Sequence, residues 1–525
     1  MLNLVSTFEH SATEFPDKKA IVFQDKSFTF AQTAAMVNKV ANALKAKGIQ
    51  KGDKVALSCL NLPYFPMVYY GILKVGAVVV PLNVLLKGRE IAYHLEDSEA
   101  KAYFCFQGVP DLPMAEEGFS GFNQVDGCEY FCVITADPAA PSPIEGVQTL
   151  GQLIAEAGIT CDTELTSPED TAVILYTSGT TGFPKGAELS HSSMTMNAIG
   201  SRHLFQLTPD DVHALVLPLF HSFGQTCQMN AGFSAGNTLV LIPKFTPDAV
   251  LAAIQNEGAS IFAGVPTMYW AMLNYEDKEG VFDIDKIAGT LRIGVSGASS
   301  LPVEIIKGIE EKYKIPILEG YGLSETCPVA TFSHLYKERK PGSIGTPIWG
   351  VEVDIFDKEN KALLPGEVGE VVIRGHNVMK GYYNKPEATA EAFDGTTWFH
   401  TGDLGKKDED GYFYIVDRVK DMIIRGGYNV YPREVEEVLL THPDISLASV
   451  LGVPHGSHGE EIAAYIVPKE GADITEDRII QWSKEQMAAY KYPRIVHLRE
   501  TLPMTATGKI LKKDLRAEIE GKQGK

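Results

Sequence analysis

Cysteine, basic charge and long apolar runs are all scarce in this chain, and each scarcity excludes a class of protein. The 525 residues include seven cysteines. Cys59, Cys105, Cys161, Cys227 and Cys327 are scattered, and Cys128 and Cys132 form a lone C-x3-C, so neither a thiolate metal centre nor a disulfide framework is expected. Reduced thiols and a cytoplasmic location follow as expectations. Lys and Arg number 47 against 67 Asp and Glu, giving a net charge of −20. That balance excludes a nucleic-acid binder, whose phosphate affinity comes from clustered cations. No run of 18 apolar residues occurs, and the N-terminus carries Glu9 and His10 in place of a basic, then apolar, leader. Neither a transmembrane helix nor a signal peptide is expected. A Gly-Lys-Ser/Thr ending is also missing: Lys185 stands between Pro184 and Gly186, and Gly508-Lys509 is followed by Ile510. A P-loop nucleotidase is thereby excluded.

With 45% hydrophobic residues over this length, the chain reads as globular and too long for one core, with a large N-terminal part and at least one further domain. Val37, Val40, Ala41 and Leu44 recur at helical spacing before Gly48, which predicts an amphipathic helix near 31–47. A strand at Lys54–Leu60, a helix at Tyr64–Lys74 and a strand at 77–80 continue the alternation, so an α/β architecture with parallel strands is predicted. The Pro-, Gly- and acid-rich stretch from Gln107 to about Pro143 reads as irregular surface structure. Further strands are expected at Ala214–Leu217, Thr238–Ile242, Ser260–Ala263, Leu291–Ser296 and Tyr412–Val416.

The strongest single feature is Tyr176-Thr177-Ser178-Gly179-Thr180-Thr181-Gly182-Phe183-Pro184-Lys185-Gly186, directly after the apolar run Thr171–Leu175. Glycines allow close backbone approach, four hydroxyls can donate to phosphate oxygens, and Lys185 adds a cation on a flexible stem. In Glu319-Gly320-Tyr321-Gly322-Leu323-Ser324-Glu325, an aromatic between two glycines can stack on a purine, and Glu325 offers a hard oxygen to Mg²⁺. Asp403, in the turn Thr401-Gly402-Asp403, can accept ribose hydroxyls. Gly294-Val295-Ser296-Gly297-Ala298 nearly spells a nucleophile elbow, but its fifth residue is alanine and a hydrolase reading fails.

The Tyr176–Gly186 stretch resembles the signature of the adenylate-forming superfamily of acyl-CoA synthetases, peptide-synthetase adenylation domains and luciferases. The other motifs follow in that family's order, so the resemblance covers essentially the whole chain. It implies a large N-terminal α/β domain of several sheets, residues 1–419, and a small mobile α+β domain, residues 420–525, hinged at Lys420. It also implies ATP, Mg²⁺ and coenzyme A as cofactors. ATP would be bound by Thr177, Ser178, Gly179, Thr180, Thr181, Gly182 and Lys185, with Gly297 and Ala298 against adenine, together with Glu319 to Gly322, Ser324, Asp403 and Arg418. The metal would be held by Glu325 and Thr177. Lys509, Glu325, Thr181 and His221 are the implied catalytic residues, and the turn Gly426-Gly427 would contact the pantetheine arm. The resemblance makes Lys509 the lysine of the first half-reaction and places His221, in Phe220-His221-Ser222-Phe223, beside the substrate carboxylate. Amino-acid-activating relatives carry an Asp in that segment; this chain has none, so an amino acid is not the expected substrate.

Within the small domain, strands are expected at Leu447–Val453, Ile462–Val467 and Arg494–Leu498, with helices near Glu434–Leu440 and Glu476–Ala488. His455-x-x-His458 reads as a polar loop, because two histidines lack a third ligand. The expected reaction is activation of a medium- or long-chain fatty acid through acyl-AMP to an acyl-CoA thioester, with Phe220, Val265, Met268 and Tyr269 lining an apolar tunnel. An aryl-CoA ligase, a fatty acyl-AMP ligase and a non-catalytic nucleotide-binding protein are the alternatives; that no carrier domain follows Lys525 favours CoA as acceptor. The expected partners are small molecules, with peripheral membrane contact and a homodimer left open.

Overall fold

The apolar run Thr171–Thr177 is an interior strand, third in a seven-stranded sheet, and Ala172 to Leu175 are buried on both of its faces. That sheet runs in the order Gly381–Tyr382, Lys185–Ser190, Thr171–Thr177, Val78–Pro81, Lys54–Ser58, Ala100–Phe106 and Tyr130–Ile134. The five strands from Thr171–Thr177 onward are parallel, as helical crossovers require. Lys185–Ser190 instead folds back antiparallel, with Thr177 opposite Lys185, so the two ends of the phosphate-loop motif lie on paired strands. The structure, a computed structural model, describes residues 2–177, 183–418, 420–456, 458–505 and 508–523. Ser178, Gly179, Thr180, Thr181 and Gly182 lie outside the described residues.

A second, nine-stranded sheet is parallel from Lys19–Phe23 through Thr238–Leu241, Val212–Leu215, Ile261–Gly264 and Ile293–Ser296 to Ile317–Gly322, with antiparallel strands at both edges. A third sheet of four antiparallel strands, Val351–Phe356, Gly369–Gly375, Phe399–Lys407 and Phe413–Arg418, completes the large part. The helix Phe30–Ala46 starts at a Thr29–Gln32 capping box and buries Val37, Val40, Ala41 and Leu44, as the periodicity predicts. Each valine or leucine among them contributes roughly 1.5–3 kcal/mol. Its neighbour Tyr64–Lys74 packs so closely that a Cβ on Gly71 would stand 2.5 Å from Val40 Cγ1.

The 107–143 stretch is not irregular throughout. Met114–Phe122 is a helix and Tyr130–Ile134 a sheet-edge strand. Glycines and acidic residues masked the pattern, yet Met114, Ala115, Phe131, Cys132, Val133 and Ile134 supply enough buried surface to order it. Beyond Lys420, Gly459–Pro468 pairs antiparallel with Ile445–His455 along its whole length and carries on its other edge both the parallel strand Ile495–Leu498 and the hairpin Ile423–Arg425/Tyr428–Val430. Helices Pro432–Leu439, Glu476–Gln486 and Lys512–Gln523 accompany this sheet.

Candidate functional site

The three sheets of the large part and the loop before Lys512 converge on one cleft of about 1280 Å³. Tyr93 and Tyr176 brace the phosphate-loop hairpin. Tyr93 donates its hydroxyl to the Pro184 carbonyl at 2.7 Å, and Tyr176 donates to Asp97 at 2.9 Å. Both ends of the loop are therefore fixed, and Thr177 and Lys185 line the cleft. Lys185 Nζ lies 4.6 Å from the ring centroid of Tyr382, whose hydroxyl donates to Glu325 Oε1 at 2.9 Å. One aromatic side chain thus carries the hairpin's cation on its face and orients the buried Glu325 carboxylate from its edge. Burial, reinforced by the Glu325 charge, raises the Tyr382 phenol, so it stays a donor.

Glu325 sits in a tight turn, Ser324–Thr326, closed by Leu323 N–H donating to Thr326 Oγ1 at 2.9 Å. Thr326 Oγ1 then donates to the Pro328 carbonyl at 2.6 Å. Only glycine fits at 322, where a Cβ would stand 1.6 Å from the Pro328 oxygen. Tyr321 donates to Asp403 Oδ2 at 2.6 Å, and Arg418 Nε reaches Asp403 Oδ1 at 3.2 Å. The turn before Asp403 is closed by Asp403 N–H donating to Thr401 Oγ1 at 3.1 Å. Gly297 and Ala298 follow strand Ile293–Ser296 and also line the cleft, with Phe223 against Gly297.

His221 ends the apolar segment before a π-helix, Phe223–Asn230. Phe223 N–H donates to His221 Nδ1 at 3.3 Å, which leaves the ring proton on Nε2. Burial, with a smaller effect of the Lys509 charge, depresses the imidazole to about 4, so it is neutral near pH 7. Lys509 lines the same cleft. Burial and then the Arg418 charge lower its ammonium to about 8, against the pull of Asp403 and Asp421. The loop is docked on the large part by Thr267 Oγ1, which donates to the Gly508 carbonyl at 3.0 Å. A second junction joins Arg433 N–H to Asp417 Oδ2 at 3.1 Å.

Several expected site residues lie elsewhere. Glu319 is off the cleft wall: its carboxylate accepts the Leu301 N–H at 3.0 Å, and burial lifts it to about 7. Gly426 and Gly427 are not in the cleft either. They form a β-hairpin turn, both with positive φ, and Gly426 N–H donates to the His458 carbonyl at 2.8 Å. Val265, Met268 and Tyr269 pack in the core instead of lining a tunnel, and Tyr269 donates to the Phe262 and Val295 carbonyls, each at 3.0 Å. Conversely, Tyr382 and Thr267 went unnoticed in the sequence, where neither carries a charge or a motif to mark it.

The sequence pattern of the AMP-binding enzymes matches residues 8–383, and that of the AMP-binding enzyme C-terminal domain matches residues 434–509. A long-chain-fatty-acid–CoA ligase of Bacillus subtilis (strain 168) is 36% identical over 98% of this chain and 94% of its own. Among solved structures, the anthranilate CoA ligase AuaEII in complex with anthranoyl-AMP superposes with a TM-score of 0.90 at 31% identity, over 100% of this chain and 98% of that one. ATP-bound MatB from Rhodopseudomonas palustris does so with a TM-score of 0.88 at 31% identity, over 99% of both chains.

Proposed function

The chain belongs to the family of AMP-binding enzymes and is an AMP-forming acid–thiol ligase; from that premise we propose that it activates a medium- or long-chain fatty acid and transfers the acyl group to coenzyme A. The observation that carries the substrate reading is the apolar share of the cleft that His221 lines, to which Phe220, Phe223, Val329 and Phe332 contribute. A neutral histidine there leaves apolar surface for a chain and one N–H donor, on Nε2, for a carboxylate oxygen. The narrow space where Phe223 meets Gly297 also suits a flat ring, so an aromatic acid is the second reading.

In this proposal a carboxylate oxygen attacks the α-phosphorus of ATP, giving acyl-AMP and pyrophosphate, and the CoA thiol then displaces AMP. Two anions must approach each other, and the residues in place answer that problem. Lys509 supplies a poorly solvated cation, Lys185 a second one from the hairpin, and Asp403 with Arg418 orients the ribose. Glu325, buried and already aimed by Tyr382, has the hard oxygen chemistry that suits Mg²⁺, and Thr177 completes the set. Bound there, Mg²⁺ would offset phosphate charge. Since Lys509 fills the cleft while Gly426 and Gly427 lie outside it, the thiol step requires the small part, residues 420–525, to swing about Lys420.

The test is a panel of acids differing in chain length and ring content, read by pyrophosphate release and CoA-dependent AMP release. Fatty acids of medium or long chain should give the highest kcat/KM; preference for aromatic acids would overturn the substrate reading. In His221→Ala the KM for the acid should rise severalfold while the KM for ATP holds. An unaltered panel with a lowered melting temperature would make His221 structural.

A further inference from the structure

The turn joining Ile445–His455 to Gly459–Pro468 carries a cluster that the ligase chemistry leaves unused. His455, His458 and Glu461 each present a ligand atom, all within 4.8 Å of one another. The sequence shows two histidines and no obvious third ligand. The strand pairing supplies it, by bringing Glu461 back beside the turn. His455 Nδ1 and His458 Nδ1 are 3.1 Å apart. Two metal–nitrogen bonds of about 2.0–2.1 Å spanning that gap would meet at roughly 100°, between square and tetrahedral angles. Glu461 Oε1 already accepts from Arg425 Nε at 2.5 Å and from the Ile462 N–H at 3.0 Å. Its Oε2 accepts from Arg425 Nη2 at 2.9 Å, which leaves one lone pair there.

We propose that His455, His458 and Glu461 form a site for a borderline-soft divalent cation of the zinc class. Two imidazoles and a carboxylate select such an ion over Mg²⁺ or Ca²⁺, which prefer all-oxygen shells. The adjacent Arg425 guanidinium weakens the site, so occupancy is reversible.

The site shares its backbone with the glycine turn. Gly426 N–H donates to the His458 carbonyl at 2.8 Å, Ile424 N–H to Glu460 Oε2 at 2.6 Å, and Arg425 pairs with Gly459. A bound ion therefore stiffens the segment that the thiol step would bring into the cleft. The regulatory half of the inference rests on that reading of the domain swing: the ion inhibits CoA transfer and spares adenylate formation.

The experiment uses the full chain with Zn²⁺ alone, titrated against a chromogenic chelator, for wild type, His455→Asn and His458→Gln. Wild type should bind one equivalent more than either variant, and Mg²⁺ at the same concentration should not compete for it. Equal stoichiometry in all three proteins would overturn the site and leave the two imidazoles as a hydrogen-bonded pair. Acyl-AMP-to-CoA transfer should fall at least tenfold on zinc saturation in wild type and not in the variants, with pyrophosphate release unchanged. Equal inhibition of all three would assign the effect to zinc on the CoA thiol or on another group. If no protein makes a thioester even without zinc, the ligase reading fails while the binding comparison still decides the site.

Discussion

The two sides of the cleft are built on different principles. On the large part the two carboxylates are partnered before any ligand arrives: Asp403 is held by Tyr321 and Arg418, and Glu325 by Tyr382. Lys509, from the small part, comes in on a loop that the Thr267 hydroxyl docks through the Gly508 carbonyl, and its ammonium is depressed by burial first of all. A shift from 10.5 to about 8 corresponds to ~3 kcal/mol against the charged form. One wall is preorganised; the other is delivered under electrostatic tension, and an arriving anion relieves it.

The sharpest way to break this contrast is Lys509→Ala. It should cost on the order of 10²–10³ in adenylate formation and leave thioester formation from supplied acyl-AMP nearly intact. Equal loss in both half-reactions, measured separately, would place the lysine's role elsewhere. Next in size is the pH profile. Lys509 keeps its proton below about 8, so adenylate formation should decline as pH rises through that value, while His221, near 4, contributes no limb at neutral pH. The linkage to stability has the opposite sign. An unfolded lysine holds its proton up to 10.5, the unfolded chain binds more protons between about 8 and 10.5, and the fold should gain stability across that window. Chemical denaturation of wild type and Lys509→Met at pH 7 and 9.5 reads the difference.

Tyr382→Phe addresses the preorganised wall. It keeps the ring under Lys185 and removes the donor to Glu325, so adenylate formation should fall about tenfold, the equivalent of one hydrogen bond to a charged group. The Mg²⁺ concentration for half-maximal rate should rise as well, and ATP binding measured without metal should not change. The smallest effect is expected for Thr267→Val, which deletes ~0.5–1.5 kcal/mol of docking for the lysine loop and should slow the first step severalfold without touching the second.

Much of this was legible in the sequence, for identifiable reasons. The parallel core strands announced themselves because buried strands are apolar throughout, and the helix Phe30–Ala46 because one face is buried and one wet. Motifs that combine charge with glycine pointed to the cleft, and Lys185, Glu325, Asp403, Arg418 and Lys509 line it. Glu319 misled because adjacency in a motif is not adjacency in space: its carboxylate is committed to the Leu301 N–H, off the cleft wall that its motif neighbours line. Val265, Met268 and Tyr269 misled because an apolar residue looks the same to the sequence whether it faces a cavity or a packed core. Tyr382 and Thr267 act through one hydroxyl each, on partners 57 and 241 residues away in the chain, a distance no local pattern reveals.

The phenol of Tyr321 already donates to the Asp403 oxygen that, on the proposed reading, a sugar hydroxyl would seek. In that reading an arriving hydroxyl meets an oxygen with one donor in place and one lone pair left, and it either joins the phenol or replaces it. The phenol thus orients the carboxylate from within the protein, and discrimination there becomes a matter of how two hydroxyl donors share one oxygen. A Tyr321→Phe enzyme would lose that donor, and the arriving hydroxyl would have to orient the carboxylate together with Arg418.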